Sequence, residues 1–255
     1  MQRVAQGLAP YTLPMVAVVA WWLVTALGLV PAAALPSPGR VAGAAWRMTA
    51  SGELPRSLAA SLARVAIGGL AGAVAGVALG VASGLSRAGQ TLLDRPLQML
   101  RMVPFNAMVP LFILFLGIGE PMRLFVVAWA VAFPLYINTF AGIRDVDSRL
   151  VEMARVYRVP RARIARDVLL RGALPSVLTG LRFSLGLAWI ALIYIEVVNA
   201  GTGLGYQLSQ AQQFTRIDVI LVILGLYGIL GGLTDWFVRL LEHRLLHWRA
   251  AYTGD

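Results

Sequence analysis

The amino-acid sequence predicts an all-α membrane protein with six transmembrane helices and both termini in the cytoplasm. Hydrophobic residues make up 58% of the 255 positions and charged residues only 13%. A soluble domain carries about 25% charged residues, so this composition is typical of an integral membrane protein. Two further observations are a series of apolar runs separated by short polar links, and an uneven distribution of arginine between those links.

The first apolar run, Tyr11–Val30, is long enough to span a bilayer, which requires about 20 residues. A cleaved signal peptide is the competing interpretation, but the run is too long and no small-residue cleavage site follows it directly. After a proline-rich break, Arg40–Leu54 is expected to form a short amphipathic helix on the membrane surface. Residues 1–54 therefore form the predicted N-terminal part, and residues 55–255 form a core domain of five transmembrane helices.

The second predicted span, Pro55–Leu85, carries a glycine at every fourth position. Residues four apart lie on one face of an α-helix, so these glycines predict a groove into which another helix packs closely. A substrate-lining role for the groove is the alternative. The glycines are Gly68, Gly72, Gly76, Gly80 and Gly84.

Four further spans follow along the chain. Ser86–Met102 is predicted as a polar link and Gly117–Arg123 as a tight turn. A glycine-rich loop with a short polar helix, Asn199–Thr215, separates the last two spans. The third span ends at Leu116, and the others are Leu124–Ile143, about Leu174 to Val198, and Arg216–Leu240.

The distribution of arginine predicts the orientation of the spans. Thirteen arginines fall on the side that holds both termini and the links at 86–98 and 144–173, whereas five fall on the opposite side. Positive residues accumulate in cytoplasmic loops, so both termini are predicted to be cytoplasmic. The same topology accounts for the net charge of +10, so nucleic acid is not expected as a partner.

The most charged segment, Asp145–Arg182, lies between two long hydrophobic runs. Asp147 or Ser148 can cap a helix there that Pro160 ends. A short helix with an apolar stripe and a charged flank is suited to a groove on a partner protein, although a solvated loop without a partner is the alternative. After Pro160, a second helix is expected to lie along the membrane and enter the fifth span near Pro175. The stripe consists of Leu150, Met153, Ala154 and Tyr157, and the flank of Arg149, Glu152, Arg155 and Arg158.

Several kinds of chemistry are excluded by composition. The chain has no cysteine, which excludes disulfides, thiol catalysis and cysteine metal sites. All 22 basic residues are arginine, so the lysine of a phosphate-binding P-loop is missing and another chain would have to bind any ATP. His243 and His247 share a helical face, but no third metal ligand is evident, so no metal site is expected.

Polar residues within the spans are candidate pathway or gate residues, because burying them against lipid is unfavourable. Hydrogen bonding between helices is the alternative for the two asparagines. For Glu196, near the end of the fifth span, a structural pair or a gate is expected, since a carboxylate is a poor ligand for an anion. The candidates are Asn106, Asn138, Tyr194 and Glu196.

Glu152-Met153-Ala154, followed by a helix break and Leu174-Pro175, resembles the E-A-A loop of binding-protein-dependent ABC importer permeases. Met153 replaces an alanine of that motif, Arg158 stands where the family usually has glycine, and Arg171 where it usually has proline. Arginine at position 158 is expected to require an ordinary helical or extended backbone. Similarity to the aliphatic sulfonate branch covers nearly the whole chain, in LPSP at 35–38, SGEL at 51–54, QMLRMVP at 98–104, YINT at 136–139, VEMAR at 151–155, GALPS at 172–176 and GLGY at 203–206.

This resemblance implies a type I ABC importer permease in the bacterial inner membrane, which is a transport subunit rather than an enzyme. Two copies would form the pathway, and two ATP-binding cassette subunits would bind ATP and magnesium, so this chain would hold no cofactor. A periplasmic solute-binding protein would deliver the solute to the outer loops at 31–56 and 199–215. The implied ATPase-coupling residues are Arg149, Glu152, Met153, Ala154, Arg155, Tyr157 and Arg158.

Three classes of function are compared. An importer permease with sulfonate as substrate is favoured, and taurine, nitrate, bicarbonate or a thiamin precursor are alternatives within the same architecture. A self-contained secondary transporter should show internal repeats and ionisable residues at mid-membrane, and neither is evident. An intramembrane enzyme would need catalytic groups that the spans do not offer.

Overall fold

A computed structural model describes residues 2–199 and 201–246 of the chain. All regular secondary structure in these ranges is helical, as the sequence predicts. Two segments are π-helical turns, Gln90–Asp94 and Ile164–Leu170. The α-helices are α1 Gln2–Ala26, α2 Pro38–Ala50, α3 Glu53–Leu85, α4 Arg87–Gly89, α5 Arg95–Arg101, α6 Phe105–Leu116, α7 Glu120–Arg144, α8 Ser148–Val156, α9 Arg161–Arg163, α10 Arg171–Asn199, α11 Leu204–Gln213 and α12 Ile217–Leu245.

Four helical segments within the described ranges are long and apolar enough to cross a membrane. They correspond to the second, fourth, fifth and sixth predicted spans. The other two predicted spans correspond to shorter apolar helices, Met15–Ala26 within α1 and Asn106–Leu116 within α6. At about 1.5 Å per residue, α6 extends roughly 18 Å, less than the hydrocarbon thickness of about 30 Å. The four long segments are Glu53–Leu85, Glu120–Arg144, Arg161–Val198 and Ile217–Leu245.

The glycine stripe of α3 packs against α7, and the two helices run parallel. A Cβ atom on Gly76 would lie only 2.5 Å from the carbonyl oxygen of Ala132, so a residue without a side chain is needed for this approach of the two backbones. The stripe follows α7 along most of its length, with Gly68, Gly72, Gly76, Gly80 and Gly84 facing Leu124, Ala128, Ala132, Thr139 and Ile143, respectively.

Because α3 and α7 run parallel, the chain between Leu85 and Glu120 must return along the bundle, and α5 and α6 make this return. Pro104 separates the two helices, since proline lacks an N–H and disfavours helical backbone at the preceding residue. Gly117, at φ +71°, then ends α6. These two local breaks explain why the third predicted span contains only a 12-residue helix.

α10 lies antiparallel to both α7 and α12. Gly142 near the end of α7 packs against Ser176 near the start of α10. The indole Nε1 of Trp189 donates a hydrogen bond to Thr234 Oγ1 of α12 at 3.0 Å. Nearer the start of α10, Arg182 Nη2 contacts Glu242 Oε2 at 2.6 Å.

The bundle therefore has two ends. The α11 end holds α2, α11 and the first turns of α3, α7 and α12, and the α8 end holds α8 and the first turns of α10. Ser37 caps α2 by accepting a hydrogen bond from the Arg40 N–H, and Arg47 of α2 lies 3.4 Å from Asp218 of α12. The buried core lies mainly between α2, α7, α10, α11 and α12.

The structure corrects three local predictions. The predicted polar link Ser86–Met102 is helical from 87 to 101, and Glu120–Arg123 forms the first turn of α7 rather than a loop. Residues 161–199 form one helical run without a break near Pro175. Pro175 lies inside α10, after the π-helical turn Ile164–Leu170 has ended.

Candidate functional site

α8 is a short, capped helix that stands out at the α8 end. The Asp147 carboxylate accepts a hydrogen bond from the Arg149 N–H at 2.9 Å, which fixes the start of the helix. Of the predicted apolar stripe, only Ala154 is buried against the rest of the chain. Leu150, Met153 and Tyr157 are 47%, 53% and 77% exposed, respectively. The helix therefore presents large apolar side chains that its own chain leaves uncovered.

The charged flank of α8 is also uncovered. Arg149, Glu152 and Arg155 are exposed, and within the described residues none of them forms an ion pair. The acidic residue of the following segment, Asp167, pairs instead with Arg166 at 3.1 Å. The residues named from the sequence for ATPase coupling thus lie on α8 and on the turn that follows it, and all of them except Ala154 are exposed.

The end of α8 corrects the prediction for Arg158. The helix ends at Val156, before Pro160, and Arg158 adopts φ +54° instead of the ordinary backbone predicted for it. The Val159 N–H donates to the Ala154 carbonyl at 3.0 Å, and the Arg158 N–H donates to the Arg155 carbonyl at 2.9 Å. This pair of bonds is a Schellman motif, which satisfies the last carbonyls of a helix. These hydrogen bonds hold arginine in a conformation that glycine adopts more readily.

A second polar site is buried at the α11 end and is centred on Arg64 of α3. Its Nη1 lies 2.6 Å from Glu196 Oε1 on α10, and its Nη2 lies 2.5 Å from Glu120 Oε1 on α7. Arg64 is 4% exposed and Glu196 is fully buried. Arg123 also contacts Glu120, at 2.6 Å, so the site contains two arginines and two glutamates and is neutral overall.

Glu196 also fixes the start of α11. The Gly205 N–H donates to its Oε2 at 2.8 Å, and the Leu204 N–H donates to Ser61 Oγ at 2.9 Å. Ser61 in turn donates to Glu196 at 2.8 Å. A Cβ atom on Gly203, which has φ +125°, would collide with the Glu196 carboxylate. The glycines before and within α11 therefore let a carboxylate from α10 serve as the cap of the next helix.

Sequence reasoning selected Glu196 but missed Arg64, its buried partner. The two residues are 132 positions apart, so no local pattern connects them. The available signal was the position of Arg64 inside an apolar predicted span, where an unpaired charge is unfavourable. The ion pair is present in the structure, whereas a gating role for Glu196 stays a prediction.

The other candidate pathway residues do not come together. Asn138 lines a cavity of about 460 Å³, and its amide donates to the Pro134 carbonyl at 2.8 Å. Asn106 and Tyr194 are exposed and are not among the described residues that line this cavity. His247 lies outside the described residues. The cavity is lined by Leu100, Val103, Pro104, Trp129, Ala130, Phe133, Pro134, Ile137, Asn138, Phe183 and Leu187.

Comparison with known proteins assigns these features to a family. Residues 70–247 match the model of the binding-protein-dependent transport system inner membrane component. The chain is 48% identical to the putative aliphatic sulfonates transport permease protein SsuC of Escherichia coli (strain K12), over 96% of this chain and 93% of that protein. It is 33% identical to the taurine transport system permease protein TauC of the same organism, over 89% and 85%, respectively.

A solved structure shares the fold at low sequence identity. A chain from a crystal form of the MetNI methionine ABC transporter in inward facing conformations superposes with a TM-score of 0.66 at 21% identity, covering 77% of this chain and 98% of that chain. Together with the apolar helices, the family match places the protein in the inner membrane as a transport component. The chain belongs to the binding-protein-dependent transport system inner membrane components and is an ABC transporter permease.

Proposed function

We propose that this chain is the permease subunit of an ATP-driven importer of aliphatic sulfonates. The observation that carries the proposal is α8, which holds Glu152-Met153-Ala154 and leaves Leu150, Met153 and Tyr157 uncovered. A short helix with an uncovered apolar face is suited to a groove on another protein. We infer that this partner is an ATP-binding cassette subunit, one for each of two copies of the chain, and that ATP and magnesium are bound there.

The proposed orientation places the α8 end in the cytoplasm. Arg149, Arg155 and Arg161 are all exposed at that end, as the positive-inside rule requires. In this orientation, α1 and the α5–α6 return complete six crossings, and both termini are cytoplasmic. The α11 end then faces the periplasm, where a solute-binding protein would deliver the solute.

The path of the chain supports a coupling role for α8. A turn at 157–160 connects α8 to the helical run 161–199, and this run ends near the buried Arg64–Glu196 pair. Closure of the ATPase pair would draw the two α8 helices together and shift α10 in each copy. ATP would thereby bias an equilibrium between inward-facing and outward-facing arrangements of the bundle.

The substrate is inferred from similarity and from the cavity. The chain is more similar to the sulfonate permease, at 48% identity, than to the taurine permease, at 33%. The cavity around Asn138 is largely apolar, which suits an aliphatic tail, and the amide can donate to a sulfonate oxygen. Taurine, nitrate, bicarbonate and a thiamin precursor are the solutes to test against this proposal.

ATP hydrolysis in lipid nanodiscs tests the proposal. The permease would be reconstituted with its ATPase subunit, and hydrolysis measured with a binding protein loaded in turn with ethanesulfonate, taurine, nitrate, bicarbonate or a thiamin precursor. We expect hydrolysis to require both subunits and to rise most with the alkanesulfonate. Stronger stimulation by another solute would show that the proposed substrate is wrong. Solute movement along an ion gradient without an ATPase would show that the chain is not part of an ATP-driven importer.

Reversal of one charge on α8 tests the coupling surface. Glu152→Arg should weaken co-purification of the ATPase roughly tenfold, because it reverses an exposed charge at the edge of the docking face. Glu53→Arg makes the same change at the exposed start of α3, at the other end of the bundle, and should leave co-purification unchanged. Equal ATPase recovery with both variants would show that α8 is not the docking element.

A further inference from the structure

A groove of about 700 Å³ at the α8 end is not used by the proposed function. It lies between α8, the turn after it, the helical segment 161–169 and the last residue of α3. Arg155, Arg158 and Arg161 line it together with Leu85, Ile164 and Leu169. The groove therefore combines three guanidinium groups with an apolar wall.

The three arginines have no acidic partner in the part of the chain that the structure describes. Asp167 is the acidic residue of the neighbouring helical segment, and its carboxylate forms ion pairs with Arg166 at 3.1 Å and with Arg171 at 3.8 Å. Three like charges that converge on one groove repel one another and favour a bound anion. Arginine is well suited to this role, because its planar donors match phosphate oxygens.

The groove is separate from the docking face of α8. Val151 and Arg155, which are four residues apart, lie on the side of the helix that lines the groove. Met153 and Val156 do not line the groove, and the helical period places them on other faces. An ATPase seated on the uncovered apolar face would thus leave the groove open.

The apolar wall distinguishes a lipid from a free anion. Leu85 is the last residue of the membrane-spanning α3, and Leu169 lies in the run that enters α10. This wall therefore lies at the level where the hydrocarbon of the bilayer begins. A free phosphate or sulfonate would leave it uncovered, whereas an acyl chain would cover it.

We propose that this groove binds an anionic phospholipid of the inner leaflet. The phosphodiester lies between Arg155, Arg158 and Arg161, and the first part of an acyl chain lies along Leu85, Ile164 and Leu169. Basic pockets between helices on the cytoplasmic side of a membrane recognise headgroups in this way. The proposal depends on the proposed function only for the cytoplasmic placement of the α8 end.

Native mass spectrometry of the purified permease, without ATPase, tests the proposal. The permease would be given equal amounts of phosphatidylglycerol and phosphatidylcholine, and we expect it to retain phosphatidylglycerol. Arg155→Gln/Arg161→Gln should weaken this retention roughly thirtyfold, and each single variant roughly fivefold. Arg149→Gln/Arg163→Gln removes the same charge from exposed positions outside the groove and should retain lipid as the wild type does.

Two competition experiments separate the lipid from other occupants. Inorganic phosphate and ethanesulfonate, each added in large excess over the lipid, should not displace it. Displacement by either anion would show that the groove is a site for soluble anions. Loss of one lipid per permease on addition of the ATPase subunit would show that the groove is part of the surface that binds the ATPase. Equal retention of both lipids, or equal loss in the groove and control variants, would also overturn the proposal. None of these outcomes depends on transport, so failure here leaves the proposed function intact.

Discussion

The two ends of the bundle both carry arginine, but the charge is compensated in different ways. At the α11 end, Arg64 is 4% exposed and contacts Glu120 and Glu196 of its own chain. At the α8 end, Arg155 and Arg161 are exposed and have no acidic partner among the described residues. A buried charge must be paired within the fold, whereas an exposed charge is solvated by water and can remain unpaired until a ligand binds. The first end is therefore expected to stabilise the bundle, and the second to bind partners.

Removal of the central arginine at the α11 end is expected to have the largest effect. Arg64→Leu leaves the carboxylate of Glu196 buried without its partner, so the free energy of unfolding should fall by about 3–5 kcal/mol. Chemical denaturation in mixed micelles measures this loss. Arg161→Leu, the matched change at the α8 end, should alter stability by no more than about 0.5 kcal/mol.

The double variant Arg64→Leu/Glu196→Leu separates the charge from the packing. It removes both buried charges, so it should recover much of the stability that Arg64→Leu loses. If Arg64→Leu were no more destabilising than Arg161→Leu, the buried pair would not be what holds α3 and α10 together at this end.

The glycine stripe between the two ends should give the next largest effect. Gly76→Val places a side chain where even a Cβ would lie 2.5 Å from the Ala132 carbonyl, so stability should fall by about 1–3 kcal/mol. Gly231→Val is the control, because a Cβ there meets no atom within 4 Å. Equal stability of the two variants, measured by thermal denaturation, would contradict close packing of α3 on α7.

The local sequence pattern predicted much of this fold. The four-residue spacing of glycine predicted a close packing face on α3, and the cap signal at Asp147 or Ser148 predicted the start of α8. These features depend on residues within one or two helical turns. A sequence read in short windows therefore contains the information they need.

Features that depend on distant residues were not predicted. The partners of Arg64 lie 56 and 132 positions away, and only the packing of α3, α7 and α10 brings them together. The short α6 has a local cause instead, because Pro104 and Gly117 limit the helix on either side. At Arg158, backbone hydrogen bonds at the end of α8 override the conformational preference of the residue.

The smallest expected effect comes from a type of turn that occurs once at each end of the bundle. Thr215 at the end of α11 has φ +54°, as Arg158 does at the end of α8, and the Arg216 N–H donates to the Ala211 carbonyl at 2.8 Å in the same pattern. A left-handed backbone costs a residue with a side chain about 1–2 kcal/mol, and glycine avoids this cost. Glycine also loses more conformational entropy on folding, which offsets about 0.5–1 kcal/mol of the gain. Thr215→Gly and Arg158→Gly should therefore each raise stability by about 0.5–1 kcal/mol.

The two glycine variants should differ in function although they share a backbone effect. Thr215→Gly should leave phosphatidylglycerol retention unchanged, whereas Arg158→Gly should weaken it, because it removes a guanidinium group from the groove. Arg158→Ala removes the same group without relieving the backbone, so it should lose lipid and gain no stability. If Arg158→Gly stabilised the permease and kept its lipid, Arg158 would neither stabilise the turn nor bind the lipid. The contrast between the two ends would then depend on Arg155 and Arg161 alone.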